Sequence, residues 1–502
     1  MKNTRAAPLL FWVLLSFYFF FIGYEVLTSE YLLTDEAFML WHLPDNHLVF
    51  NIWHSLGRSF SGWMIEWLFG VNDTVTKLKY IRLFSLLQCI LATLLLFYVL
   101  RRLRKSDLSL SDAQIYCTVA FFAASLSSII YIGWAVCTVD LIPIALSLLA
   151  GLFLYRSLEA GGGSTAGKRQ AIVMGIAAFV MSITALFFYQ TMYPFILLPF
   201  YLAFLIRKDG RFTRGMYKAL LFFFVALAVY FLLFKLSMKV SHMGAADRTK
   251  LEFDPLGRLS FFFSFPLNQA FNVNAFFFAR SVLSQAIMPV LLAAWMCYTF
   301  FTRRGQHPIR YLAGVMVWWI LGYIPQLIAS ESFAPYRTMV VFSVMVFLLM
   351  GDILFSLIKG RNRTILCFVI VTILLIRGGY VYKVYLADPL TYEYRIVRNA
   401  VRDHYTAGSH EVIFIRAPEN GFEPGFGIGS FKDEFGMPST YKDWAPEGLV
   451  KQIVAEMTGS RAAGEALKVT VLSGMAELSD PSLLKDPHVF VIDMPALLRA
   501  KK

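Results

Sequence analysis

The sequence predicts an all-α polytopic membrane bundle of about eleven transmembrane helices with a small α/β domain at its carboxyl end. Three observations predict it. Of 502 residues, 58% are hydrophobic and only 16% charged, with a mean hydropathy of +0.60, too apolar for a soluble chain of this length. Apolar runs of roughly membrane-spanning length recur, separated by short polar loops whose strongly basic members all fall on one side when the runs are simply alternated. From Asp388 onward the composition becomes that of a soluble domain.

The runs fall near 9–26, 83–100, 114–132, 139–155, 171–188, 194–206, 219–236, 282–301, 311–328, 339–357 and 364–381. Lys2 and Arg5 ahead of the first run place the amino terminus in the cytoplasm, and Arg101, Arg102, Arg104 and Lys105 close the second run as a cytoplasmic stop. The first run carries no signal-peptide cleavage pattern and is read as a retained helix. Eleven alternating spans then put the carboxyl terminus outside. The chain divides into a bundle, 1–387, with long external loops at 28–82 and 237–280, and a soluble extracytoplasmic domain, 388–502. In the first loop, Ile52, Leu56, Phe60, Met64 and Trp67 recur at helical spacing, which predicts one interfacial helix over 50–68. In the terminal domain, helices are expected over 393–404 and 449–457, and strands over 412–415, 469–472 and 489–492.

The net charge of +13 does not mark a nucleic-acid binder, because the basic residues are dispersed among cytoplasmic loops. The five cysteines lie in or beside apolar runs and are expected to be buried thiols, and the eight histidines show no zinc-ligand spacing. Gly162 to Arg169 imitates a phosphate loop, but Arg169 stands where Ser or Thr is required and no strand precedes it.

Chemistry is expected at one rim. Asp35 and Glu36 follow the first run within the stretch SEYLLTDEAFMLWHL, surrounded by apolar residues. Neighbouring carboxylates can take a proton from a hydroxyl or hold a divalent cation such as Mg or Mn, and the sequence leaves the metal unknown. Arg58, Arg248, Lys250 and Arg337 fall on the same side. Guanidinium groups suit a lipid phosphate, since they bind its oxygens bidentately and keep their charge. Asp140, Gln190, Tyr193, Glu331, Tyr336 and Arg377 lie toward the same leaflet and are the candidate substrate pocket. A transporter would place ionisable groups nearer the bilayer midplane.

With TDEAF directly after the first span, and this topology, the first 390 or so residues resemble the GT-C class of integral membrane glycosyltransferases. Gly57–Arg58, Tyr189–Gln190 and Pro335–Tyr336–Arg337 are similar to bacterial O-antigen-modifying glucosyltransferases of the serotype-conversion type. The resemblance implies Asp35 as catalytic base and a hexose, such as glucose, carried on a polyprenyl phosphate. Transfer would be to a glycan, lipid or protein acceptor at the periplasmic face of a bacterial inner membrane. A polymerase or ligase of lipid-linked glycans, and a flippase of lipid-linked sugars, are the rival readings. The segment DEFGMPST, 433–440, has no role derivable from sequence.

Overall fold

The computed structural model describes residues 6–105, 110–160, 165–207, 210–252, 254–274, 282–302, 307–330, 334–429, 435–478 and 481–500. Among these, nine helices are long and apolar enough to cross a membrane. A tenth is counted if Asp112–Ala124 and Leu126–Gly133, bent by 41° at Ser125, form one span. Ser125 causes the break and heals it. Its extended backbone stops the first helix, and its hydroxyl caps the second by accepting from the Ser128 amide at 3.2 Å. The remaining expected run, near 282–301, is the helix Val282–Thr302, of which Pro289–Thr302 is a shorter apolar stretch. The chain is a multi-pass membrane protein whose exposed apolar side chains, among them Phe17, Phe20, Leu91 and Ile176, lie along these helices. All five cysteines are free; four are buried as expected, whereas Cys297 is exposed on the bundle surface.

The expected single interfacial helix is two, Leu48–Ser55 and Ser59–Val71. Gly57 breaks it. Its φ of +74° is a left-handed conformation that side chains resist, and a Cβ there would collide with the Tyr230 hydroxyl. Trp63 and Trp67 remain exposed on the second piece, in the manner of interfacial aromatics.

The composition break at 388 falls inside a continuous helix. Gly360–Val381 passes through a π-helical turn, Tyr382–Ala387, into Asp388–His404. Beyond it lie β1 (Glu411–Ile415), β2 (Lys468–Leu472) and β3 (Val489–Asp493), all parallel in the order β2-β1-β3. Each strand lies within a residue of its expected place. Central β1, reading EVIFI, is buried at every position, as a strand covered on both faces must be. The helix Ala445–Thr458 makes the crossover between β1 and β2 that parallel pairing requires.

This domain rests on the acidic-motif helix, Thr34–His42. Gly448 of the crossover helix sits so close that a Cβ would lie 2.6 Å from the Ala37 carbonyl oxygen. Arg461 donates to the Trp41 carbonyl at 2.7 Å and lies 4.3 Å over its ring. Ser439, in the segment that sequence left unexplained, donates to the Leu32 carbonyl at 2.7 Å. Glu393 holds that segment by accepting from the Ser439 and Thr440 amides at 2.8 and 2.9 Å.

Gly448→Ala tests this seam. In an isolated helix the change would be favourable by up to about 1 kcal/mol. Here the methyl meets backbone, and overpacking of this kind costs about 1–3 kcal/mol. The variant is expected to unfold at lower temperature in detergent and to be nicked faster in the terminal domain by limited proteolysis.

Candidate active site

Successive residues on a helix point about 100° apart, so Asp35 and Glu36 cannot share one environment. Glu36 turns inward and is fully buried. Its Oε2 accepts from Arg82 at 2.6 Å and from the Leu33 amide at 2.8 Å, and its Oε1 accepts from the Ala135 amide at 2.6 Å. The Leu33 bond is the return half of a capping box, with the acid three residues into the helix reaching back to the first free amide. Burial pushes the Glu36 pKa up, while Arg82 and the two amides oppose that push. Arg82 is equally enclosed. It donates to the carbonyls of Tyr31 and Gly133 at 2.9 and 3.0 Å and stacks 3.7 Å from the centre of the Tyr31 ring. The expectation that Glu36 works on substrate is replaced by a structural role, because both of its oxygens are engaged within the protein. A cation shared by the two carboxylates is disfavoured for the same reason. Among the described residues no cluster of three or more His, Cys, Asp or Glu could hold a metal.

Asp35 turns the other way and is partly exposed. Trp444, from the terminal domain, donates its indole N–H to Asp35 Oδ1 at 2.9 Å. The Asp35 pKa is raised by burial, against the opposing pull of that bond and of the charges on Arg337, Arg248 and Lys442. Asp35 is therefore within electrostatic reach of two arginines that line a neighbouring cavity.

The cavity holds about 450 Å³. Arg58, Arg248, Arg337, Gln190 and Thr191 supply its polar lining, and Phe224, Leu227, Phe231, Phe234, Ile324 and Ile328 much of its apolar wall. Arg58 is delivered by the Gly57 break. Its guanidinium lies 4.1 Å from the centre of the Tyr189 ring and donates to Gln190 at 3.4 Å. Gln190 in turn donates to the Gly57 carbonyl at 3.2 Å and to the Tyr230 hydroxyl. Arg248 comes from the second long loop, in a stretch fastened on either side of it. The Ala246 amide donates to Ser55 at 3.0 Å, and Leu251 bridges antiparallel to Ala329. Arg337 projects from a short 3-10 turn, Tyr336–Thr338, and lies 5.0 Å over the Trp134 ring. That turn is anchored by hydroxyls of Ser127 and Tyr131, which donate to the carbonyls of residues 336 and 337. Asp140 is buried within electrostatic range of Arg58 and Arg337.

The other expected site residues lie elsewhere. Lys250 is exposed and paired with Asp247 at 2.7 Å, outside the cavity. Tyr193 is fully buried, stacked 4.8 Å from Phe223, and is packing. Tyr336 turns toward the terminal domain and meets Phe435 edge-on at 5.9 Å. Arg377 lies over Tyr380 at 5.6 Å on the helix Gly360–Val381, away from the cavity lining. Glu331 lies outside the described residues.

Sequence reasoning missed Arg82, Thr191, Tyr230, Trp134 and Trp444, and gave Tyr189 only as half of the Tyr189–Gln190 pair. Only Arg82 carried a readable signal, as a basic residue at the end of the second span opposite its RRLRK stop. Thr191 lines the cavity with a buried hydroxyl that has no hydrogen-bond partner among the described residues.

No family model matches the chain, and no curated protein matches it in sequence. Among solved structures, it is similar to the cryo-EM structure of the arabinofuranosyltransferase AftD from mycobacteria. The identity is 12% and the TM-score 0.39, over 84% of this chain and 30% of that one. The chain thus spans less than a third of that protein's length, and the chemistry has to be argued from the site's own residues.

Removing one member of a buried ion pair strands the other, at a cost of about 3–5 kcal/mol. Arg82→Met and Glu36→Gln are each expected to lower the unfolding temperature sharply in detergent. The double variant should recover part of the loss, which a thermal-unfolding double-mutant cycle would show as a coupling between the sites.

Proposed function

We propose that the protein is a GT-C-type membrane glycosyltransferase that moves a hexose from a polyprenyl phosphate to an acceptor hydroxyl. The observation that carries this reading is the cavity's two-sided chemistry. Its arginines fit a lipid phosphate, and its phenylalanine and isoleucine walls, contributed by membrane-spanning helices, fit a prenyl chain. In the expected orientation the site faces the periplasm, where a lipid-borne donor takes the place of a nucleotide sugar.

Asp35 takes the acceptor proton as the hydroxyl attacks the anomeric carbon, and the sugar–phosphate bond breaks. The polyprenyl phosphate leaves with the bonding pair, and Arg337, Arg248 and Arg58 neutralise its charge. No metal is assigned a step. An O-antigen or other glycan acceptor follows from the sequence resemblance.

Asp35→Asn is expected to reduce transfer from a polyprenyl phosphate hexose in isolated membranes by about 10²-fold or more, with protein level unchanged. Transfer near the wild-type rate would remove Asp35 from the mechanism. Ionised Asp35 is the working form, so activity falls as pH drops through its pKa. Since burial raises that pKa, the acid limb of the rate profile should lie above the ordinary aspartate value of about 4. Arg248→Ala should weaken donor use while leaving this limb in the profile, whereas a polymerase or ligase relying on the arginines would be indifferent to Asp35→Ala.

A further inference from the structure

We propose that the terminal domain supplies the acceptor subsite, with the indole of Trp444 as the stacking face for a pyranose ring of a carbohydrate acceptor. The inference rests on Asp35 acting as base and adds the side from which the acceptor arrives and its chemical class.

Arg337 and Arg248, whose charges reach Asp35, line the lipid-walled cavity, and Asp35 itself lies outside that lining. Its carboxylate accepts from Trp444, with Lys442 also acting on it. The phosphate binds among the arginines of the cavity, so the attacking hydroxyl, which must reach the base from a position the leaving group does not fill, has Trp444 as its neighbour at Asp35.

Trp444 has the form such a subsite needs. The indole is 47% exposed although its only polar atom is already bonded to Asp35. An apolar ring is thus left open to solvent while its edge is pinned beside the base. The electron-rich face of an indole attracts the weakly positive C–H bonds of a sugar ring, whose hydroxyls point outward. Lys442 lies 5.6 Å from the centre of the Trp444 ring and 5.2 Å from that of Tyr441, placed to meet those hydroxyls. Trp444 directly precedes the helix Ala445–Thr458, which Gly448 seats on the acidic-motif helix, so ring and base are held by one rigid contact. A single ring with one lysine beside it suits a saccharide better than an acyl chain, which needs a continuous apolar trough.

Two variants of the full chain separate the functions of the ring. Trp444→Phe keeps a stacking face and loses the N–H; Trp444→Ala loses both. Saturation-transfer NMR on detergent-solubilised protein, with maltotriose and cellotriose as probes, should show ring C–H contacts in wild type. They should persist in Trp444→Phe and weaken by about tenfold in Trp444→Ala, with unfolding temperatures confirming that both fold. The hydrogen bond favours ionised Asp35, so both variants should shift the acid limb of transfer to higher pH. Wild-type-strength contacts in folded Trp444→Ala would overturn the subsite, and an unmoved limb in Trp444→Phe would overturn its placement beside the base. If Asp35→Asn transfers normally while the contacts still depend on Trp444, the base assignment fails and the saccharide site stands. If Asp35→Asn is silent but the contacts ignore Trp444, the site fails and the base stands.

Discussion

The buried pair of Glu36 and Arg82 fixes the geometry on which the rest of the site depends. It ties the loop after the first span to the second span, and through the Ala135 amide to the 3-10 turn that ends at Asp140. Buried ion pairs contribute little net stability once desolvation is counted, and their best-attested use is to specify one arrangement over others. That use fits here. By directing Glu36 inward, the pair leaves Asp35 no orientation except outward, toward Trp444 and the arginines.

The arginines are held in a way that suits a ligand. Arg58 is supported by aromatic faces and by the Gln190 side chain, interactions that fix a guanidinium without consuming its charge. Asp140 is buried within electrostatic range of the cluster. Glycine at 57 is part of the same design, since only there can the chain turn beneath the Tyr230 hydroxyl and hand Arg58 to the cavity.

Much of this was legible from sequence where a pattern carries a physical cause. Hydrophobic run length marked the membrane helices, and short apolar stretches rich in β-branched residues marked β1, β2 and β3. Positive-inside reasoning gathered Arg58, Arg248 and Arg337 to one rim, where the structure brings them round one cavity with Gln190. The doublet Asp35–Glu36 misled, because adjacency in sequence suggested shared chemistry while helix geometry separates the two. Lys250 and Tyr193 were drawn in by proximity in the chain, and nothing local announces that one is paired at the surface and the other stacked in the core. Trp444 was out of reach, since its importance arises from contact with a residue 409 positions away.

The unbroken helix Gly360–His404 joins the last span to the terminal domain as a shaft of about 68 Å, at 1.5 Å per residue. The helix runs from bundle to domain without a loop, so the two are joined by continuous backbone hydrogen bonding and not by a flexible linker. The shaft also fixes angular phase, as each residue gained or lost would rotate the domain by about 100° relative to the bundle. The π turn at Tyr382–Ala387 is how a helix absorbs one additional residue without paying that full rotation. It lies just where the rod leaves the bundle, beside the Tyr31 hydroxyl that meets Tyr382 at 3.2 Å, and there it trims the alignment of the two halves.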